Sequence, residues 1–173
     1  MQSAAEVNPT DEQYSEEDSE QYLTFKLAGE EYGVEILRVQ GIQGLQKVTT
    51  IPNTPEYILG VINLRGEIVP VIDLRKRFSL ESIEFSSTTV VIVVRMINEG
   101  KERTLGVVVD GVSEVYRFEN KNVQEPPEFG GAISTEFLKG LASVDEKMVI
   151  LLEIDHLVDF NDLVNAAQAG GAE

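Results

Sequence analysis

Residues able to perform acid–base, nucleophilic or metal chemistry are sparse in this 173-residue chain. Cysteine is absent, which removes thiolate catalysis, thiolate metal ligands and a disulfide framework. The single histidine, His156, stands in "EIDHLVDF" with carboxylates at Glu153, Asp155 and Asp159. A catalytic or metal-binding imidazole needs partners at a defined spacing. A surface histidine among solvated acids at a strand end accounts for this cluster. No phosphate-cradling glycine loop occurs, nor a HExxH or GxSxG pattern. The apolar runs hold no polar pair placed to act as acid and base. The sequence therefore predicts no catalytic residue, no metal site and no cofactor.

What remains is a residue suited to recognition. In "GVINLRGEIVP", residues 60–70, two apolar strands meet at Arg65-Gly66. From its position alone Arg65 reads as a solvated turn charge, because arginine is mostly exposed. Three features add a second reading. The flanks are apolar, Gly60 and Gly66 permit close backbone approach, and the guanidinium fork is a frequent interface hot spot.

The elements that must hold this tip follow from hydrophobic periodicity. "YLTFKL" and "YGVEILRV" alternate around "AGEE" and predict a hairpin. In "IPNTPEYILG", Thr54 suits a helix cap, Pro55 the first helical position and Gly60 the exit, which predicts a short helix. Pro70 cannot donate to a ladder, so its strand is expected at an edge or a bulge. "DLRKRF" predicts a short polar turn or helix. "TTVVIVV", residues 88–94, predicts a strand buried on both faces, followed by the turn "NEGKE" and the strand "TLGVVVDGVSEV". After the Pro/Gly-rich loop "ENKNVQEPPEFGGAI", "STEFLKG" predicts a second short helix, with Ser134 or Thr135 at its start and Gly140 at its exit. "KMVILLEI" is a strand and "DLVNAAQA" weakly helical.

The two halves resemble each other. A shift of 73 lays "YGVEILRV" on "LGVVVDGV", and a shift of 80 lays "EYILGVINLRGEIVPVIDL" on "EFLKGLASVDEKMVILLEI" without a gap. Gly60 falls on Gly140 and Tyr57 on Phe137. This internal duplication predicts two small barrels packed side by side with a groove between them. The hairpin tips differ: Leu64-Arg65-Gly66-Glu67 becomes Val144-Asp145-Glu146-Lys147. Divergence on a matched scaffold points to a specific role for the first tip.

Net charge is −16. Residues 1–20 carry seven acidic and no basic residues, and the remainder still has 23 acidic against 14 basic, a charge of −9. Phosphate backbones and anionic lipid would repel such a body, so no nucleic-acid partner and no direct membrane insertion are expected. No uncharged run exceeds 10 residues, short of the roughly 18 that span a bilayer. The first residues have neither a basic nor an apolar region of a secretory signal, so a cytoplasmic location is expected. The acidic segment 1–20 offers little to a core and reads as a disordered tail.

The blocks "EEYGVEILRVQGI", "IPNTPEYILGVINLRGEIVPVIDLRKRF", "TTVVIVV", "LGVVVDGVSEV" and "STEFLKGLASVDEKMVILLEIDHL" resemble the CheW-like family of bacterial chemotaxis coupling proteins. The likeness covers residues 21–163. It implies a mainly β fold of two tandem five-stranded SH3-like barrels, one over about 21–85 and one over about 86–158. Exchange of terminal segments between them is allowed, and residues 164–173 form a C-terminal tail. It implies a non-enzymatic adaptor that couples the cytoplasmic tip of chemoreceptors (methyl-accepting chemotaxis proteins) to the regulatory domain of the histidine kinase CheA, at membrane-bound receptor arrays. The implied receptor groove comprises Val39, Gly41, Ile42, Asn63, Arg65, Gly66, Val109 and Val112, with Gly60 and Gly140 as structural glycines. Kinase contacts are implied on barrel edge strands. Where many relatives carry an acidic residue after "RVQ", this chain has Gly41. A small-ligand or enzymatic module using the groove between the barrels stands as the alternative.

Overall fold

The alternating stretches become ten strands in the computed structural model, which describes residues 18–126 and 135–171. They are β1 (Ser19–Leu27), β2 (Glu30–Glu35), β3 (Val39–Gly44), β4 (Ile58–Leu64), β5 (Glu67–Asp73), β6 (Val90–Asn98), β7 (Lys101–Val109), β8 (Gly111–Glu119), β9 (Leu138–Val144) and β10 (Lys147–Leu152). Helix α1 (Leu74–Arg77) follows β5, and α2 (Phe160–Gly171) follows β10. The hairpins turn at Ala28-Gly29, Arg65-Gly66, Glu99-Gly100 and Asp145-Glu146, each with both residues at positive φ. Such turns match the right-handed twist of the strands they join.

The strands form two five-stranded sheets, ordered β8-β1-β2-β10-β9 and β3-β6-β7-β5-β4. The orders correspond one to one under the duplication. Leu151 pairs with Gly33 in the first sheet as Val71 pairs with Gly106 in the second. Each sheet closes in the same way. The chain beyond β3 bridges Thr49 to Val61 on β4, and the chain beyond β8 bridges Gln124 to Leu141 on β9. Gly60 and Gly140 lie beneath these crossings. A Cβ on Gly60, whose φ is 149°, would overlap the Thr49 carbonyl oxygen. One on Gly140 would stand 2.8 Å from the Gln124 carbonyl oxygen.

A cut near residue 85 does not separate the two sheets. The hairpin β1–β2 completes the sheet of β8, β9 and β10, and β6–β7 completes that of β3, β4 and β5. The exchange is carried by the parallel pairs β2–β10 and β5–β7. Parallel partners cannot be hairpin neighbours, and here each is supplied by the other half. The exchange explains the double-sided burial of the hairpin strands. On β6, Val91 and Val93 face the inside of one barrel, while Ile92, Val94 and Met96 join the core between the barrels. On β1, Tyr22 faces inward and Leu23, Phe25 and Leu27 join that shared core.

Four local expectations are corrected. Residues 52–57 form turns rather than a helix, and Gly60 lies within β4. The second expected helix is a 3-10 turn at Thr135–Phe137, with Gly140 inside β9; Ser134 lies outside the described residues. Both glycines therefore serve a barrel crossing and not a helix exit. β5 is an interior strand and not an edge, although its ladder to β4 shifts register between Ile58 and Gly60, beside Pro70, and its parallel ladder to β7 covers only Val71–Asp73. Residues after 163 are no simple tail, since Leu163 and Ala166 on α2 are fully buried in the shared core. The acidic tail lies outside the described residues except for 18–20, where Ser19 and Glu20 already belong to β1. Of the equivalent aromatics, Phe137 is buried and Tyr57 half-buried. Their rings clasp the Arg77 guanidinium at 4.6 and 4.5 Å.

Candidate functional site

Arg65 projects from the β4–β5 hairpin, fully outside the core. Its φ is 55° and that of Gly66 is 89°. The Gly66 amide donates to Asn63 Oδ1 at 2.8 Å. Among the described residues the guanidinium has neither a hydrogen-bond acceptor nor an ion-pair partner. It borders a cleft of about 320 Å³ lined by Gln40, Gly41, Ile42, Gln43, Leu64, Glu67 and Val93. The cleft lies between the tip and β3, a strand at the edge of its sheet. Ile42 stays 44% exposed there, and Gly41 has open space where a side chain would stand. An unpaired cation beside an exposed aliphatic side chain and an open strand edge can bind a polypeptide.

Of the expected groove residues, the fold gathers Gly41, Ile42, Asn63, Arg65 and Gly66 at this tip. Val39 begins β3 and packs half-buried against the shared core. Val112 is the second residue of β8, at an edge of the other sheet, and is 38% exposed. Val109 is 1% exposed within the core, so its side chain offers no surface to a partner. Sequence reasoning missed Leu64 and Glu67, which flank the tip, and Gln40 and Gln43 on β3. The alternation of β3 would have found the glutamines, had the edge position of that strand been known.

Several charged groups elsewhere are spent on the scaffold. Arg75 grips Asp110 through two bonds, of 3.0 and 2.7 Å, and Arg38 grips Asp155 through two, of 2.7 and 2.8 Å. The Arg75 hydrogen bonds hold the Asp110 carboxyl below the usual range against the effect of burial. Burial pushes Asp155 up, but Arg38 and the Ile97 amide outweigh it and leave it lowered. Lys139 bridges Glu20 and Glu35, and its pKa is raised because these bonds overcome burial. Burial, with a hydrogen bond to Asp162, pushes the Tyr57 phenol up to about 12.

A larger cleft, of about 710 Å³, lies between the β6–β7 tip and the start of α2. His156 lines it, with Asp155 already paired to Arg38 and charges of both signs around. No group of three potential metal ligands occurs among the described residues. Inside the shared core the free space beside Phe25, Val34, Ile92 and Leu152 is about 10 Å³, no more than one water molecule needs. Packing therefore leaves no ligand chamber there.

Comparison with known proteins agrees with this architecture. The CheW-like domain model matches residues 21–161. The chain belongs to the CheW-like domain family. It is 44% identical over 144 residues to the chemotaxis protein CheW of Klebsiella aerogenes, covering 83% of this chain and 84% of that one. It is 33% identical to the chemotaxis protein CheW of Treponema pallidum, covering 85% and 86%. The crystal structure of the scaffolding protein TtCheW from Thermoanaerobacter tengcongensis superposes with a TM-score of 0.74 at 36% identity, covering 83% of this chain and 90% of that chain. The role of this family member is that of an adaptor, or scaffold, in chemotaxis.

Proposed function

We propose that the chain couples chemoreceptors to the histidine kinase CheA by binding both and catalysing nothing itself. The cytoplasmic receptor tip is assigned to the Arg65 cleft, and the kinase regulatory domain to barrel edge strands. The protein then works in the cytoplasm at receptor arrays; among the described residues no helix is long and apolar enough to cross a membrane. The observation that carries this reading is the exposed guanidinium of Arg65, which has no partner among the described residues and stands beside exposed Ile42. The acidic background of the chain repels other anions, and Arg65, the cation lining this cleft, is left as the anchor for a matching carboxylate. The partner class itself rests on the resemblance to coupling proteins.

The test is receptor-stimulated kinase activity with wild type, Arg65→Ala and Arg65→Glu, alongside pull-downs with the receptor tip and the kinase regulatory domain separately. Removing an exposed turn arginine changes stability by about 0.5 kcal/mol or less. Removing an interface anchor costs about 2 kcal/mol or more, roughly thirtyfold in affinity. Charge reversal should be worse than truncation. Normal stimulation by a well-folded Arg65→Glu protein would return Arg65 to a solvated turn charge.

A further inference from the structure

Asn63 is expected from the family resemblance to touch the partner, yet in the fold its side-chain carbonyl is already engaged. Its Oδ1 accepts the Gly66 amide hydrogen at 2.8 Å, and Arg65 lies inside the ring so closed. Arg65 sits at a φ of 55°, in the left-handed region that side-chain-bearing residues disfavour. The Leu64–Glu67 pairing frames the tip, and no side chain packs on it at Gly66, where a Cβ would meet no atom within 4 Å.

The duplicated half supplies an internal control. Ser143 stands at the position equivalent to Asn63. Its hairpin turns at Asp145 and Glu146, with φ of 51° and 67°, and Ser143 makes no corresponding bond among the described residues. The same kind of turn therefore closes without a side-chain tie, so the Asn63 bond is not needed to make a hairpin. It occurs on the tip that carries the arginine.

We propose that Asn63 is a positioning residue: its bond to the Gly66 amide reinforces, beyond what the strand pairing supplies, the left-handed conformation of Arg65 that sets its guanidinium on the rim of the Ile42 cleft, and Asn63 itself does not contact the partner. The inference rests on the reading that Arg65 binds the receptor tip. A partner that accepts only the held conformer binds in proportion to its population. Losing one hydrogen bond of ordinary strength should weaken binding by about threefold to tenfold.

The experiment compares wild type, Asn63→Ala, Asn63→Asp and Arg65→Ala for binding to a detergent-solubilised chemoreceptor. Thermal melts and hydrogen exchange at the Gly66 amide are read in the same samples. Asn63→Asp keeps the acceptor oxygen and deletes the side-chain donor. Asn63→Ala should speed Gly66 exchange and weaken binding within the stated range while melting like wild type, and Asn63→Asp should restore both. Weak binding by Asn63→Asp despite a protected Gly66 amide would mean that Asn63 contacts the partner directly, which overturns the inference. So would wild-type binding by Asn63→Ala when Arg65→Ala binds poorly. Wild-type binding by both alanine variants would overturn the Arg65 reading itself, and the inference with it.

Discussion

At the scale of single residues, the space around a glycine separates positions that must stay glycine from positions that can carry a side chain. Gly60 has no room for a methyl group, because its φ is 149° and the Thr49 carbonyl crosses over it. Gly41 would meet nothing within 4 Å. Gly60→Ala should therefore cost about 2 kcal/mol or more through overpacking and backbone strain. Gly41→Glu should change stability by about 0.5 kcal/mol or less. Urea titrations of both variants measure the contrast, and equal destabilisation would refute it. The sequence marked Gly60 and Gly140 as equivalent but assigned them to helix exits. Pro55 and Thr54 imitate a helix start, and only the crossing strand reveals what the glycines must admit.

At the scale of elements, the two arginine–aspartate pairs favour the observed placement of the hairpins. Arg75 and Asp155 occupy equivalent positions after β5 and β10, since the shift of 80 superposes them. Asp110 and Arg38 lie one residue apart in the shift of 73, at the two points where the chain crosses between barrels. The charges are thus inverted between the halves. Were each hairpin to remain with its own half, Arg38 would face Arg75 and Asp110 would face Asp155. The exchanged arrangement turns both encounters into ion pairs, at 2.7 Å each.

Arg75→Asp should destabilise by about 2–3 kcal/mol, from lost charged hydrogen bonds and like-charge repulsion. Arg75→Asp combined with Asp110→Arg should recover most of that loss, which a double-mutant cycle by thermal melting reads directly. No recovery would show that the pair is incidental. Both carboxyls have folded-state pKa values below their unfolded ones. Their contribution is complete above about pH 4 and fades as pH falls through the lowered values. The penalty of Arg75→Asp should also shrink on acidification, beginning at higher pH because the introduced carboxyl and that of Asp110 would raise one another's pKa.

For the whole molecule, the exchange makes the halves interdependent. Cutting the exposed segment 81–88 yields β1–β5 on one fragment and β6–β10 on the other. Each fragment lacks the hairpin that completes its own sheet and exposes its part of the shared core. Neither fragment should show a cooperative melt alone, while an equimolar mixture should show one. A fragment that melts cooperatively by itself would mean that each half is a self-sufficient domain.

The amino-acid order by itself determined the strands, the duplication and the prominence of Arg65. Each of these is written in local periodicity, or in a fixed offset between like residues. Burial on both faces of "TTVVIVV" was legible because a strand wet on one face would alternate. The tertiary structure alone decided that the hairpins change places, that Val109 is buried and Ile42 exposed, and that Asn63 serves the turn. Those facts depend on which distant strand lies alongside. Similar hairpins offer similar edges to either half, and the choice falls to non-local terms: the parallel ladders, the shared core and the sign of a charge across each crossing.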